Sequence, residues 1–200
     1  MKSIVYIKSY NAPQIDKNEV LRYASSGGKC ADVEALLDEC VKEISGKLSF
    51  KVCYSRYSIS KSCDIIDLGF AKVRSHSLSL CLEECDEIIL FCASIGLEID
   101  RLIAKYGYIS PAKATMFQAI GSERVEALCD AFCEDMAGEI GGNLRPRFSP
   151  GYGDLPLDIQ KDIFVALDPA KRIGVSLGDN LFMTPSKSVT AIIGIKRKNK

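Results

Sequence analysis

The run Ile88-Ile89-Leu90-Phe91 has no polar position to turn toward water, which predicts a strand buried on both faces in the middle of a sheet. A second run, Val189 to Ile195, is strongly β-branched and predicts another strand near the C-terminus. Leu48, Phe50, Val52 and Tyr54 alternate with Ser49, Lys51, Cys53 and Ser55, the period of two expected of a half-buried strand. Further strand candidates are residues 2 to 7, Ile65 to Phe70, and a hairpin in which Val175 to Leu177 and Leu181 to Met183 flank Gly178-Asp179-Asn180. The strands come in groups with helical patterns bunched between them. That order argues for an α+β fold, a largely antiparallel twisted sheet with helices grouped around it.

The helical patterns are equally specific. Asp16 to Ala24 reads as a helix stopping near Gly27-Gly28, and Leu36, Leu37, Cys40, Val41 and Ile44 recur at helical spacing before Gly46. Ser75 can cap a helix carrying Leu78, Cys81, Leu82 and Cys85 on one face. Three helices are expected next, one with Ile95, Ile99, Leu102, Ile103 and Tyr106 inward, one opened by Ser110-Pro111 and one opened by Ser122. The last carries Val125, Leu128, Cys129, Phe132, Cys133 and Met136 as a stripe, which leaves Asp130 on its flank, roughly 130° from the stripe centre. Gly141-Gly142-Asn143 ends it. Pro156 to Leu167 reads as a further helix, and Asp168-Pro169 as the start of a shorter one.

Two hundred residues, 47% of them hydrophobic, suit one sizeable core, so the expectation is a single domain over 1–200. The 26 basic residues balance 26 acidic ones, and no global field favours nucleic acid or an anionic membrane. Lys196 to Lys200 reads as a solvated basic tail. Nine cysteines without a Cys-x-x-Cys pair, beside a single histidine, fit thiols packed as small hydrophobes better than a metal cluster. The odd count, with no signal peptide or long apolar span, points to a reducing cytoplasm and no membrane association. His76, between Ser75 and Ser77, reads as a helix-start residue, so neither a catalytic base nor a metal site is expected.

The stretch Arg145-Pro146-Arg147-Phe148-Ser149-Pro150-Gly151-Tyr152-Gly153-Asp154 joins two helical segments. Its prolines fix φ and its glycines admit conformations or approaches that a side chain forbids, so the loop holds a shape. Its guanidinium groups suit a carboxylate or phosphate, and Tyr152 adds an aromatic face. A plain surface turn with solvated arginines remains the alternative from these residues alone.

Arg147-Phe148-Ser149-Pro150-Gly151-Tyr152 resembles the Arg-x-x-Pro-Gly-Tyr signature of the activation domain of vitamin B12-dependent methionine synthase, which binds S-adenosylmethionine (AdoMet). Ile95 to Ile103, the helix Val125 to Met136, and Met183-Thr184-Pro185-Ser186-Lys187-Ser188-Val189 are also similar to family segments, in order and spacing. The likeness covers roughly residues 85 to 195 and is loose over the first 80.

The resemblance implies an AdoMet site of Arg147, Ser149, Gly151, Tyr152 and Asp130. Arg147 would pair with the ligand carboxylate. Tyr152 and the backbone from Phe148 to Gly151 would line the nucleoside end, while Asp130 stands where the family has a longer Glu facing the ligand's polar groups. A family acid near the N-terminus has no aligned residue here, and the family's aromatic contact beyond the last matched strand is expected to be missing or replaced, where this chain has Lys196 to Lys200. His76 does not match the family's cobalt-ligating Asp-x-His-x-x-Gly motif, so cobalamin would be carried by a partner protein. The implied role is reductive reactivation of methionine synthase in trans, with a flavodoxin-like reductant and a methyl group passed from AdoMet to cob(I)alamin. Such a displacement needs orientation more than a base, worth roughly 7–11 kcal/mol at best. Service to another corrinoid methyltransferase, or a corrinoid-protein-binding module without catalysis, stays open.

Overall fold

A computed structural model of the chain describes residues 4–24, 31–141 and 144–196. At its centre is a four-stranded antiparallel sheet in the order β1-β2-β6-β9, formed by Tyr6–Tyr10, Phe50–Ser58, Cys85–Ser94 and Ser188–Lys196. Every residue from Ile88 to Ala93 is fully buried, so β6 is the two-sided strand that its unbroken apolar run predicts. Alternation along it divides two cores. Ile89, Phe91 and Ala93 face one layer; Ile88, Leu90 and Cys92 face the other.

The first layer holds α1 (Lys17–Tyr23), α2 (Ala31–Ile44), α4 (Glu98–Ile109) and α5 (Pro111–Ile140), which bury residues such as Val20, Leu37, Leu102 and Phe132 against it. The second is built from α3 (His76–Cys81), α6 (Gln160–Leu167), the short α7 (Pro169–Ile173) and the strands β3 (Ser60–Ser62), β4 (Ile65–Asp67) and β5 (Lys72–Val73). The hairpin around Gly178 is present as β7 (Ser176–Leu177) and β8 (Met183–Thr184).

Several expected boundaries move. The first strand is Tyr6–Tyr10 rather than 2–7, with residues 1–3 outside the described set. Gly27, Gly28 and the end of the basic tail, 197–200, also lie outside it, as do Gly142 and Asn143. Cys85 does not continue the helix after Ser75; it opens β6, because α3 ends at Cys81. The strand expected over Ile65 to Phe70 is confined to Ile65–Asp67.

The two helices expected after Ser110 and Ser122 are one helix, α5. Ser122 does not cap anything: its hydroxyl donates back to the carbonyl of Gln118 at 3.1 Å, a bond within a continuing helix. Gly121 beside it is a packing glycine. A Cβ there would lie 2.9 Å from Ile99 Cγ2 and from the Lys187 side chain, so the missing side chain lets α4 and the approach to β9 come close. Gly141 takes a left-handed φ of 76° and ends α5, as the glycine pair after Ile140 leads one to expect. No helix among the described residues is long and apolar enough to cross a membrane.

Candidate functional site

The loop after α5 is not free. Leu144 bridges Ile195 and Phe148 bridges Ile192, both antiparallel, so residues 144–148 run along the outer edge of β9. Arg145 N–H donates to Gly194 O at 2.8 Å, which needs a close approach; a Cβ on Gly194 would meet Cys85 Sγ at 2.7 Å and Arg145 Cγ at 3.2 Å. Strand-like alternation then sends neighbouring side chains to opposite faces. Phe148 is buried with Leu82, Leu155 and Ile163 in the second core, and Arg147 reaches the other way, to α5.

There the guanidinium Nη2 donates to Asp130 Oδ1 at 2.8 Å and to Glu126 Oε2 at 3.1 Å. The Arg147 side chain is 24% exposed, against 64% for Asp130 and 44% for Glu126, so the cation is set back and the acids reach outward. Burial opposes the charge on Arg147, but Cys129, Glu126 and Asp130 outweigh it and hold the guanidinium pKa above its ordinary value. Beneath it, burial pushes the Cys129 thiol up to about 12 and Cys133 to about 11. Both are neutral packing groups at physiological pH. Cys40, Cys53, Cys85 and Cys92 are buried free thiols like Cys129, while Cys133 is half-buried.

Glu126 and Asp130 open onto a groove of about 460 Å³ between α5 and the segment leading into α1. Ala127 and Ala131 keep its α5 wall low, while Pro13, Asp16, Glu19 and Tyr23 form the facing wall. That wall is fixed by a buried ion pair within α5. Arg124 donates to both carboxylate oxygens of Glu123 and to the carbonyls of Pro13 and Gln14, and Glu123 accepts the backbone N–H of Asp16 at 3.0 Å. Asp16 caps α1, accepting from the backbone of Asn18 and Glu19.

Among the site residues expected from sequence, the structure brings Arg147 and Asp130 into contact. Of the five, Asp130 alone lines the groove; Arg147 stands behind Asp130 and Glu126, and Ser149, Gly151 and Tyr152, which follow on the same loop, do not line it. Ser149 O accepts the backbone N–H of Tyr152 at 3.2 Å, closing the turn. Gly151 has a φ of 82°, and the Tyr152 ring meets Phe148 edge-on at 5.4 Å while staying 69% exposed. The loop is then clamped to α3: Asp154 accepts from the Ser75 hydroxyl and the His76 N–H at 2.6 Å, and from the Ser77 N–H at 3.1 Å. His76 is a helix-start residue, as its serine neighbours suggest.

Sequence reasoning missed Glu126, Glu123 and Arg124. Glu126 and Asp130 share an i, i+4 flank of one helix, which is the signal that could have found the pair. Asp16 and Glu19, the N-terminal acids on the groove, have no local signature beyond a helix cap.

No protein-family model and no curated protein matches the sequence. Its fold does have a solved counterpart. A crystal structure of the MetH reactivation domain bound to AdoHcy superposes with a TM-score of 0.71 over 100% of this chain and 80% of the other, at 16% sequence identity.

Proposed function

We propose that this chain binds AdoMet and acts as the reactivation component of a corrinoid-dependent methyltransferase, methionine synthase in the first instance, whose cobalamin is carried on a partner protein. The observation that carries the reading is the placement of Arg147. On a chain with the fold of a reactivation domain that was crystallised with AdoHcy, the signature arginine is set back beside an acid-walled groove, pinned there by the backbone of β9. The donor set fits the ligand. A guanidinium suits the α-carboxylate, acids suit the ammonium and sulfonium, and the groove has room for part of a nucleoside.

In this reading Arg147 fixes the amino-acid end and Asp130 with Glu126 takes the cationic groups. The backbone from Phe148 to Gly151 and the exposed Tyr152 ring, on the loop that carries Arg147 and outside the groove itself, are assigned the nucleoside end. AdoMet supplies the electrophilic methyl group, and the partner's reduced corrinoid, kept reduced by a flavodoxin-like donor, supplies the nucleophile. This chain holds the methyl donor in one orientation on a surface that a partner can approach.

Calorimetry of the purified chain with AdoMet tests the binding. Methyl transfer from labelled AdoMet to a corrinoid methionine synthase lacking its own activation domain, with reduced flavodoxin present, tests the role. Saturable heat together with label transfer that requires this chain is the expected result. Absence of any heat overturns the reading. One observation favours a second reading, a corrinoid-protein-binding module without a ligand: Arg147 is already paired to two carboxylates and is self-sufficient as a strut. Heat with AdoMet excludes it.

A further inference from the structure

The ion pair at Arg147 has a charge requirement. Resting on the reading above, we propose that Glu126 is a specificity-determining residue, which together with Asp130 makes this site select the sulfonium cation AdoMet over its neutral thioether product AdoHcy, through exchange of partners at Arg147.

One guanidinium nitrogen serves both acids, at 2.8 Å to Asp130 and 3.1 Å to Glu126. An incoming α-carboxylate takes that cation, and two carboxylates four residues apart on α5 are left facing each other across about one helical turn. Like charges so placed repel, so the ligand that takes the arginine must return positive charge to Glu126 and Asp130. An amino acid with only its ammonium returns one charge. AdoMet returns two, an ammonium and a sulfonium.

The surroundings sharpen the demand. The groove walls carry Asp16, Glu19, Glu123, Glu126, Asp130 and Glu134. Arg22 answers Glu19, Arg124 answers Glu123, and Arg147 is shared. Six carboxylates against three guanidiniums leave the groove negative on a chain whose formal net charge is zero. Glu134 has no ion-pair partner among the described residues and adds to the field from the same wall. After methyl transfer the bound product has lost its sulfonium charge, and the same acids favour its departure. Product release is thereby tied to the completed reaction rather than to a separate gate.

The test is calorimetry of the full chain with three probes: AdoMet, AdoHcy, and sinefungin, which carries an ammonium near the sulfonium position. AdoMet and sinefungin are expected to bind about tenfold tighter than AdoHcy at low salt, with the ratio shrinking as ionic strength screens the acids. Glu126→Gln should bring the AdoMet-to-AdoHcy ratio down by about fivefold, with AdoHcy affinity held or raised because Arg147 has lost an internal competitor. Circular dichroism establishes that the variant is folded, and Asp130→Asn serves as the second variant should it not be. Equal affinities for AdoMet and AdoHcy in the wild type, or an unchanged ratio in folded Glu126→Gln, overturn the inference and leave AdoMet binding intact. If none of the three probes binds, the functional reading itself falls and the inference falls with it.

Discussion

Phe148 and Ile192 exchange both backbone hydrogen bonds at 2.9 Å, and with the second bridge from Leu144 to Ile195 they join the arginine loop to β9 as though it were a short fifth strand. The pairing covers the outer edge of β9 and sets the face on which Arg147 emerges. Phe148→Ala removes the buried side of this hinge and should destabilise the chain by about 3 kcal/mol, as for other core phenylalanines. Urea unfolding measures it, and a cost below about 1 kcal/mol would show that the loop holds its place without the ring.

Arg147→Lys keeps the positive charge and loses the planar fork. AdoMet affinity should fall by about ten- to a hundredfold, the weight of a charge-assisted bond. The melting temperature should change by only about 3 °C, because the acids it meets are largely exposed. Calorimetry and a thermal scan separate the two effects. A large loss of stability with affinity retained would make Arg147 a strut.

Gly194→Ala should destabilise by about 1–3 kcal/mol, the usual cost of overpacking. Its Cβ would stand 2.7 Å from Cys85 Sγ and 2.9 Å from Leu82 Cδ2, inside a buried sheet with no room to yield. Equilibrium unfolding reads this directly, and a neutral substitution would mean that β9 lies farther from Leu82 than it does here.

Asp154 is an acid-sensitive clamp. The Ser75 hydroxyl, then the His76 and Ser77 amides, stabilise its ionised form and hold its carboxyl well below the usual carboxylate range. A folded-state pKa below the unfolded value of about 3.9 gives stability that is complete above that value and lost as pH falls through the folded one. Wild type should therefore lose stability steadily below about pH 4, and Asp154→Asn should show a shallower loss there with a lower plateau at neutral pH. Urea midpoints between about pH 2 and pH 7 decide it; parallel curves would remove Asp154 from the acid response.

Alkylation should sort the thiols by burial. Cys63 is exposed, whereas Cys129 is buried with its pKa pushed up to about 12. Among the described thiols, iodoacetamide at neutral pH should label Cys63 first and reach Cys129 and Cys92 only on unfolding. Peptide mass mapping gives the order, and early labelling of Cys129 would show that α5 opens locally.

The central strands were legible because burial on two faces leaves an unmistakable composition: Ile88 to Phe91 has no polar residue, and Val189 to Ile195 has little else than branched and small ones. The continuity of α5 was not legible, since Gly121-Ser122 resembles a stop followed by a cap. Only the closeness of Ile99 and Lys187, distant in the chain, explains the glycine. Within the site, the stiffness of the arginine loop could be read from its prolines and glycines. Its pairing with β9 and its bond to Glu126 could not, because each joins segments whose separation no local pattern encodes. Asp130 was found through family likeness; on a helical wheel it is one more charge on a wet flank.

Because residues 144–148 take their register from β9, the guanidinium has no fixed address until that strand, some forty residues later in the chain, has been laid against the sheet. During synthesis, the stretch with the signature leaves the ribosome well before the strand that orients it. A chain released short of β9 would carry Arg147 and every neighbour of its loop and still lack the strand edge that aims the guanidinium at Glu126 and Asp130.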